Sequence, residues 1–160
     1  METTALNDRY TKGCERYDRK LFTRWNELVK AFSVTGDTGV GGNFDVKGTL
    51  IDGRECMVEI KMRKCAHDTY DSAMIEADKM TDGWIYDRFS GLTSLYVNFY
   101  TDGWSSVFNL NNLKHAPRKE KTRRKNPGMD DKVVENAVYF LDNKDGVFYD
   151  DSGRLHRDCV

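Results

Sequence analysis

The feature that most constrains the fold is a pair of alternating segments joined by a short turn. Residues 44–50 and 54–63 alternate between apolar and polar side chains, and Ile51-Asp52-Gly53 lies between them. Alternation with a period of two on both sides of an Asp-Gly turn is typical of a β-hairpin. A three-residue turn with its glycine in the left-handed conformation pairs Leu50 with Arg54. The sequence therefore predicts two antiparallel strands joined by a bulged turn.

This register decides which side chains share a face of the hairpin. Counting back from the turn places Asp45 directly opposite Glu59, and alternation puts Lys61 on the same face. A two-residue turn would instead put Asp45 on the opposite face from Glu59. The remaining face is apolar and is expected to be the core face; it carries Phe44, Val46, Leu50, Cys56, Val58, Ile60 and Met62.

Two opposed carboxylates indicate a bound cation, because like charges across a strand pair repel each other. Mg²⁺ and Mn²⁺ prefer oxygen ligands, so Asp45, Glu59 and the backbone carbonyl of Ile60 are the predicted metal ligands. Lys61 is suited to orienting or deprotonating a metal-bound water and to stabilising charge on a phosphate. The pattern thus indicates metal-assisted phosphodiester hydrolysis. The competing interpretation is a surface charge cluster, since Glu-x-Lys is common on solvated strand faces.

Apolar residues at three- and four-residue steps predict two helices. The first covers residues 10–32, where Asp18 faces the protein and Glu15 lies nearer the margin of the apolar stripe. The second covers residues 69–89. The glycine-rich segment 36–42 lacks the Gly-Lys-Ser/Thr ending of a phosphate-binding loop, which argues against a nucleotide site there.

Further strands are predicted in the second half of the chain. Residues 94–100 and 105–110 form a second hairpin pattern, and Trp104 in its turn is left open as a base-stacking residue. Residues 132–141 favour a strand, although a helix starting at Asp130 fits nearly as well. The order of helix, strands, helix and strands predicts an α/β (α+β) fold with a central mixed sheet flanked by helices.

Length and composition are those of one globular domain over residues 1–160, with 39% hydrophobic and 32% charged residues. The sequence has no apolar run of membrane-spanning length and no basic-then-apolar pattern at its start, so we expect a soluble, cytoplasmic protein without a membrane partner. The four cysteines include no Cys-x-x-Cys pair. This favours reduced thiols over a disulfide framework or a zinc site.

A basic segment interrupts a near-neutral charge balance. The net charge is −1, yet the segment from 114 to 125 carries seven basic residues against one Glu. The seven are Lys114, Arg118, Lys119, Lys121, Arg123, Arg124 and Lys125. We predict a basic loop at about 114–128 that contacts the phosphates of a nucleic acid. A solvated loop without that role explains the charge equally well.

Asp45 within Asn43-Phe44-Asp45-Val46, followed by Glu59-Ile60-Lys61, resembles the motif of the PD-(D/E)XK nuclease superfamily. The predicted order of elements over roughly residues 10–110 is similar to the restriction-endonuclease-like core of that superfamily, αβββαβ. Residues 94–100 and the turn after them are similar to a hairpin in small nuclease-like proteins of phages and bacteria. One departure is Phe44, which stands where the superfamily has a proline.

The resemblance implies a metal-dependent endonuclease that acts on DNA and uses Mg²⁺ or Mn²⁺. Asp45 and Glu59 would hold the metal, and Lys61 would be the catalytic lysine. Asp18, or secondarily Glu15, would supply an extra acid from the first helix.

The resemblance also bears on the second helix and on the setting of the protein. The superfamily has a Gln or Lys on that helix, for which Lys79 is the candidate. A homodimer is implied as well, and the host cytoplasm is the expected location if the gene is carried by a phage. The alternative is a catalytically inactive nuclease-fold protein that binds nucleic acid or a protein partner. A third hypothesis is a small phage interaction protein whose charged hairpin is only surface.

Overall fold

The computed structural model describes residues 17–37, 44–125 and 133–156. Residues 17–29 form the first helix, α1, and a 3-10 turn spans Asn143–Asp145. The other elements, in chain order, are β1 (Phe32–Asp37), β2 (Val46–Leu50), β3 (Glu55–Met62), β4 (Ser72–Glu76), α2 (Ala77–Ser90), β5 (Thr93–Phe99), β6 (Ser105–Asn109), β7 (Arg118–Lys125), β8 (Val133–Asp142), β9 (Gly146–Tyr149) and β10 (Leu155–His156). Neither described helix has the length and apolar character that crossing a bilayer requires.

The strands form two sheets. The larger has seven strands in the order β1-β2-β3-β5-β6-β9-β10, and the smaller has three in the order β4-β8-β7. β3 and β5 are parallel, whereas the other neighbours in the large sheet are antiparallel. The predicted fold class, α/β with a central mixed sheet, is confirmed. A single domain over residues 1–160 stays a prediction.

Both faces of the large sheet are covered. On one face α1 packs through Phe22 and Trp25 against the apolar side chains of the hairpin and of β5. On the other face, α2 and the small sheet pack against Tyr96 and Phe108, with Met80 of α2 fully buried. The apolar hairpin face is thus a core face, as predicted, and the polar face of the hairpin lies on the side of α2.

The bulged register of the hairpin is confirmed. The Leu50 N–H donates to the Arg54 carbonyl at 2.8 Å, the Gly53 N–H donates to the Leu50 carbonyl at 2.9 Å, and Gly53 has a φ of +87°. Strand pairing then runs from the turn as far as Val46 opposite Val58. A turn one residue shorter would have reversed the faces of β2 relative to β3.

The second predicted helix is wrong over its first part. Residues 72–76 form β4, and only Ala77–Ser90 is helical. Ala73 and Ile75 are buried while Met74 between them is 37% exposed, which is the two-residue period of a strand. Pairing with β8 satisfies the backbone of this segment. The apolar residues of β4 and α2 together imitate one helical stripe in the sequence.

The basic segment predicted as a loop is a strand over residues 118–125. It forms β7 and pairs with β8 along its whole length, which also confirms a strand rather than a helix at 132–141. Successive side chains of a strand point to opposite faces, so extended backbone separates neighbouring like charges. The Val-, Tyr- and Phe-rich β8 supplies the strand edge on which this basic segment forms.

The first helix is described from residue 17 and ends before the predicted limit at 32. The Asn26 side chain donates to the Phe32 carbonyl at 2.9 Å and accepts from the Phe32 N–H at 3.0 Å. Lys30 between them has a φ of +53°. The chain therefore leaves the helix and begins β1 at Phe32, and this strand, like β9 and β10, was not predicted.

We expect Gly53→Ala to lower the free energy of unfolding by about 1 kcal/mol, because an L side chain is strained at a positive φ. An added Cβ would meet no atom within 4 Å, so the loss isolates the backbone conformation of the turn. Gly36→Ala is the matched control, since its Cβ would also enter open space but its φ is not positive. Equal urea midpoints for the two variants would contradict the bulged turn.

Candidate active site

The Asp45 carboxylate lies at the end of the β2–β3 ladder. The Asp45 N–H donates to the Val58 carbonyl at 3.0 Å, and Asp45 Oδ2 accepts from the Ile60 N–H at 2.8 Å. The side chain thus takes the place of the next backbone acceptor on β2. This bond fixes the Asp45 carboxylate beside β3, because its donor is the backbone N–H of the residue that follows Glu59.

The predicted backbone ligand faces the same edge. The N–H and C=O groups of one strand residue point to the same side of the strand. Because the Ile60 N–H is bonded to Asp45, the Ile60 carbonyl oxygen is also directed to the β2 side of β3. Its role as a metal ligand stays a prediction.

Glu59 is a nearly buried carboxylate, with 14% of its side chain exposed. Its Oε2 lies 3.1 Å from the Lys79 ammonium and forms an ion pair with it. The two groups are not aligned for a hydrogen bond, so this buried oxygen accepts no regular hydrogen bond. Burial and the nearby charge of Asp45 raise the pKa of Glu59 to about 7, although Lys79 and Lys61 oppose the rise. The two carboxylates therefore lie close enough to repel each other, and the site holds them together at a cost in free energy.

Two lysines reach this site from different elements. Lys61 follows Glu59 by two residues on β3, so it lies on the same face, and its side chain is exposed. Lys79 is the third residue of α2 and forms the ion pair with Glu59. The structure thus brings Lys79 to the site, although its sequence context marked it only as the candidate basic residue of the second helix.

The residues present fit a hard divalent cation. Asp45 and Glu59 offer carboxylate oxygens, and Ile60 offers a carbonyl oxygen; Mg²⁺ needs few protein oxygens because it keeps several waters. Glu59 Oε2, buried and without a regular hydrogen bond, is an acceptor that a cation would satisfy. A divalent charge would also offset the repulsion that raises the pKa of Glu59.

The extra acid proposed for the first helix stays a prediction. Asp18 is partly exposed near the described start of α1, whereas Glu15 lies outside the described residues. α1 packs on the sheet face opposite to that of Glu59. Asp18 therefore approaches from the far side of the sheet, unlike Lys79.

Arg63 extends the polar face of β3 and was not singled out in the sequence. Its Nε donates to Asn98 Oδ1 at 2.7 Å, and its Nη2 donates to the Tyr96 hydroxyl at 2.6 Å. The Tyr96 hydroxyl in turn donates to the Met74 carbonyl at 2.7 Å, which links the two sheets. The available signal was alternation, since Glu59, Lys61 and Arg63 occupy every second position of the predicted strand segment 54–63.

Most of the predicted phosphate-binding residues are exposed on or beside β7. Five of the seven predicted residues have described side chains, and all five are exposed: Lys114, Arg118, Lys119, Lys121 and Arg123. Two of them form ion pairs with acids: Arg118 with Glu120 at 2.6 Å and Lys121 with Glu135 at 3.1 Å. Arg124 and Lys125 belong to β7, but their side chains lie outside the described part of the chain.

A second group with metal-ligating atoms lies beyond the C-terminal end of β3. Ligand atoms of His67, Asp68 and Asp102 lie within 4.8 Å of one another. His67 Nδ1 is already 2.6 Å from Asp102 Oδ2, and the His67 ring stacks on Trp104 with centroids 3.8 Å apart. Glu59 lies within β3, whereas His67 follows the last residue of that strand by five positions. The two groups are separate, and Trp104, left open as a base-stacking residue, contacts His67.

The paired carboxylates therefore lie at the end of the β2–β3 ladder of a central mixed sheet, with a lysine two residues further on along β3. No family model and no curated protein matches the chain. Among solved structures, it is similar to the 1.6 Å structure of Archaeoglobus fulgidus Hjc, a Holliday junction resolvase from an archaeal hyperthermophile. The TM-score is 0.47 and the identity 16%, over 79% of this chain and 86% of that one. Similarity at this level leaves the function to be inferred from the site of the chain itself.

The raised pKa of Glu59 predicts a pH-dependent loss of stability. Glu59 holds its proton more tightly in the folded protein than in the unfolded chain, because its pKa rises from 4.5 to about 7. The free energy of unfolding therefore falls as the pH rises through this window, by on the order of 3 kcal/mol without metal. Glu59→Gln removes the ionisation, so the variant should gain stability over wild type as the pH rises from about 4.5 to about 7, and the gain should stay constant above that.

Urea unfolding at several pH values measures this difference. Glu55→Gln is the matched control, because Glu55 begins the same strand but is exposed. The interpretation fails if both variants shift stability equally across the pH range.

Proposed function

We propose that the protein is a metal-dependent endonuclease that hydrolyses phosphodiester bonds in DNA. The observation that carries this proposal is the nearly buried Glu59 carboxylate, held beside Asp45 with its pKa raised to about 7. An exposed charge pair on a strand would not be desolvated in this way. Two acids kept together against their repulsion, with lysines beside them, suit a site that binds a cation and an anionic substrate.

Each residue of the site has a proposed role. Asp45 and Glu59 hold a Mg²⁺ or Mn²⁺ ion, with the Ile60 carbonyl as a third protein ligand. When bound, such an ion activates a water molecule and stabilises charge on the phosphate. The exposed Lys61 ammonium contacts the phosphate or the attacking water. Lys79 keeps a positive charge against Glu59 and so favours its ionised, metal-binding form.

The state of Glu59 gives the reaction a pH dependence. Below about pH 7 the free protein holds Glu59 partly protonated, and a protonated carboxyl binds a cation poorly. Metal binding must therefore displace a proton. At limiting metal concentration, we expect activity to rise with pH through this range.

The alternative is an inactive nuclease-fold protein that binds nucleic acid or a protein partner. Such a protein has no need for ionised carboxylates beside an exposed lysine. It would bind its partner with or without divalent metal, and its Glu59 could be replaced without loss of function. The two hypotheses therefore differ in what metal and Glu59 do.

The test is cleavage of supercoiled plasmid, branched DNA and labelled DNA and RNA oligonucleotides with Mg²⁺ or Mn²⁺. We expect metal-dependent cleavage of DNA that chelation abolishes. Asp45→Asn, Glu59→Gln and Lys61→Met should each lower the rate at least about 100-fold, because each removes a charge that acts on the metal or on the developing phosphate charge.

Glu55→Gln is the matched control for these variants, since it removes a carboxylate from the exposed start of the same strand. It should cleave like wild type. Cleavage that survives all three site substitutions would place the activity elsewhere. Absence of metal-dependent cleavage on every substrate would favour the inactive alternative.

A further inference from the structure

β7 and β8 extend beyond the rest of the small sheet. They pair over all eight residues of β7, whereas β4 pairs with β8 only from Val138 to Asp142. Residues 121–125 and 133–137 are therefore paired only with each other among the described strands. We call this part the ribbon. At about 3.3 Å per residue it is roughly 16 Å long.

The ribbon is strongly basic. Its β7 strand contains Lys121, Arg123, Arg124 and Lys125, and its β8 strand contains one acid, Glu135. Four basic residues minus one acid leave an excess of three positive charges. Lys121 pairs with Glu135 but is still 80% exposed, and ion pairs this exposed contribute little to stability. Lys121 and Arg123, both exposed, are therefore available to an anionic partner.

The ribbon begins beside the candidate active site. Val138, where β8 leaves the three-stranded region, pairs with Glu76 at the end of β4. α2 starts at the next residue, Ala77, and two residues later Lys79 contacts Glu59. Burial raises the pKa of the Tyr96 hydroxyl, and the charges of Glu59 and Glu76 both add to that rise. A partner held by the ribbon would thus lie next to the paired carboxylates.

Two basic side chains of the ribbon, those of Lys121 and Arg123, lie on the side of the small sheet that faces α2. Lys119, Lys121 and Arg123 occupy every second position of β7, so their side chains share one face of the small sheet. Lys119 is the register partner of Tyr139. The Tyr139 ring contacts Trp84 of α2, with centroids 5.6 Å apart. Lys121 and Arg123 therefore project from the same side of the small sheet as α2, whose Lys79 pairs with Glu59.

We propose that the ribbon enters the major groove of double-helical DNA, with Lys121 and Arg123 on the phosphates that line it. The major groove, about 12 Å wide, admits a two-stranded β-ribbon, whereas the minor groove at about 6 Å does not. Double-stranded RNA has a deep, narrow major groove that side chains cannot read. The ribbon therefore selects duplex DNA over duplex RNA and single strands. This inference deepens the proposed nuclease function, but it concerns binding alone.

The test measures binding in EDTA, so that no cleavage occurs. Fluorescence anisotropy compares a duplex DNA of about 30 base pairs with duplex RNA and single-stranded DNA of the same sequence. The double variant Lys121→Ser, Arg123→Ser should weaken duplex DNA binding about tenfold and reduce the salt slope by about two, because two phosphates are no longer neutralised. Binding of single strands should change less than twofold. Methyl green, a major-groove ligand, should compete with the protein, and netropsin, a minor-groove ligand, should not.

The matched control is Lys20→Ser, Arg24→Ser, which removes the same charge from exposed positions on α1, across the large sheet. It should bind duplex DNA within twofold of wild type. Unchanged thermal melting of both variants verifies that the fold is intact. Equal losses on duplex DNA, duplex RNA and single strands, or equal effects of the two double variants, would overturn the groove assignment. Ribbon-dependent duplex binding without any metal-dependent cleavage would support the ribbon and count against the proposed enzyme.

Discussion

The hydrogen bond from the Ile60 N–H to the Asp45 carboxylate is the interaction on which the candidate site depends. It forms where β2 ends, because the side chain replaces the next backbone acceptor. The bulged turn at Gly53 sets the register that brings Asp45 to this position, and a slip of one residue would move it to the core face. Backbone geometry thus fixes one carboxylate, and the second is fixed by α2, whose Lys79 meets Glu59. The site exists only where both constraints are satisfied together.

The electrostatics of this arrangement explain why the site is suited to a cation. Burial and Asp45 push Glu59 toward its protonated form, whereas Lys61 and Lys79 pull it back, and the balance leaves its pKa at about 7. A surface charge pair would relax into water and show little shift. These opposing effects give the protein a carboxyl group that titrates at physiological pH. Occupation by a divalent ion and ionisation of Glu59 are therefore coupled events.

The parts of this structure that the sequence could predict are those encoded by local periodicity. The hairpin register followed from turn chemistry and alternation, and with it the proximity of Asp45, Glu59 and Lys61. β4 was mistaken for helix because its two buried residues merge with the apolar positions of α2, and only pairing with β8 separates the two. β7 was mistaken for a loop because its charges suggest solvation, and the long-range partner that makes it a strand lies beyond it in the chain. The Lys79 ion pair depends on how α2 docks on the sheet, which no local pattern specifies.

The most direct test is calorimetric titration of Mn²⁺ into the protein near pH 7, in two buffers with different ionisation enthalpies. If the ion binds between Asp45 and Glu59, binding should release roughly half a proton per site, because Glu59 with its pKa of about 7 is half protonated in the free protein. Glu59→Gln should abolish both the tight binding and the proton release, whereas His67→Ala should change neither. Binding that releases no proton, survives Glu59→Gln and is lost in His67→Ala would contradict the account and assign the ion to the distant group at His67.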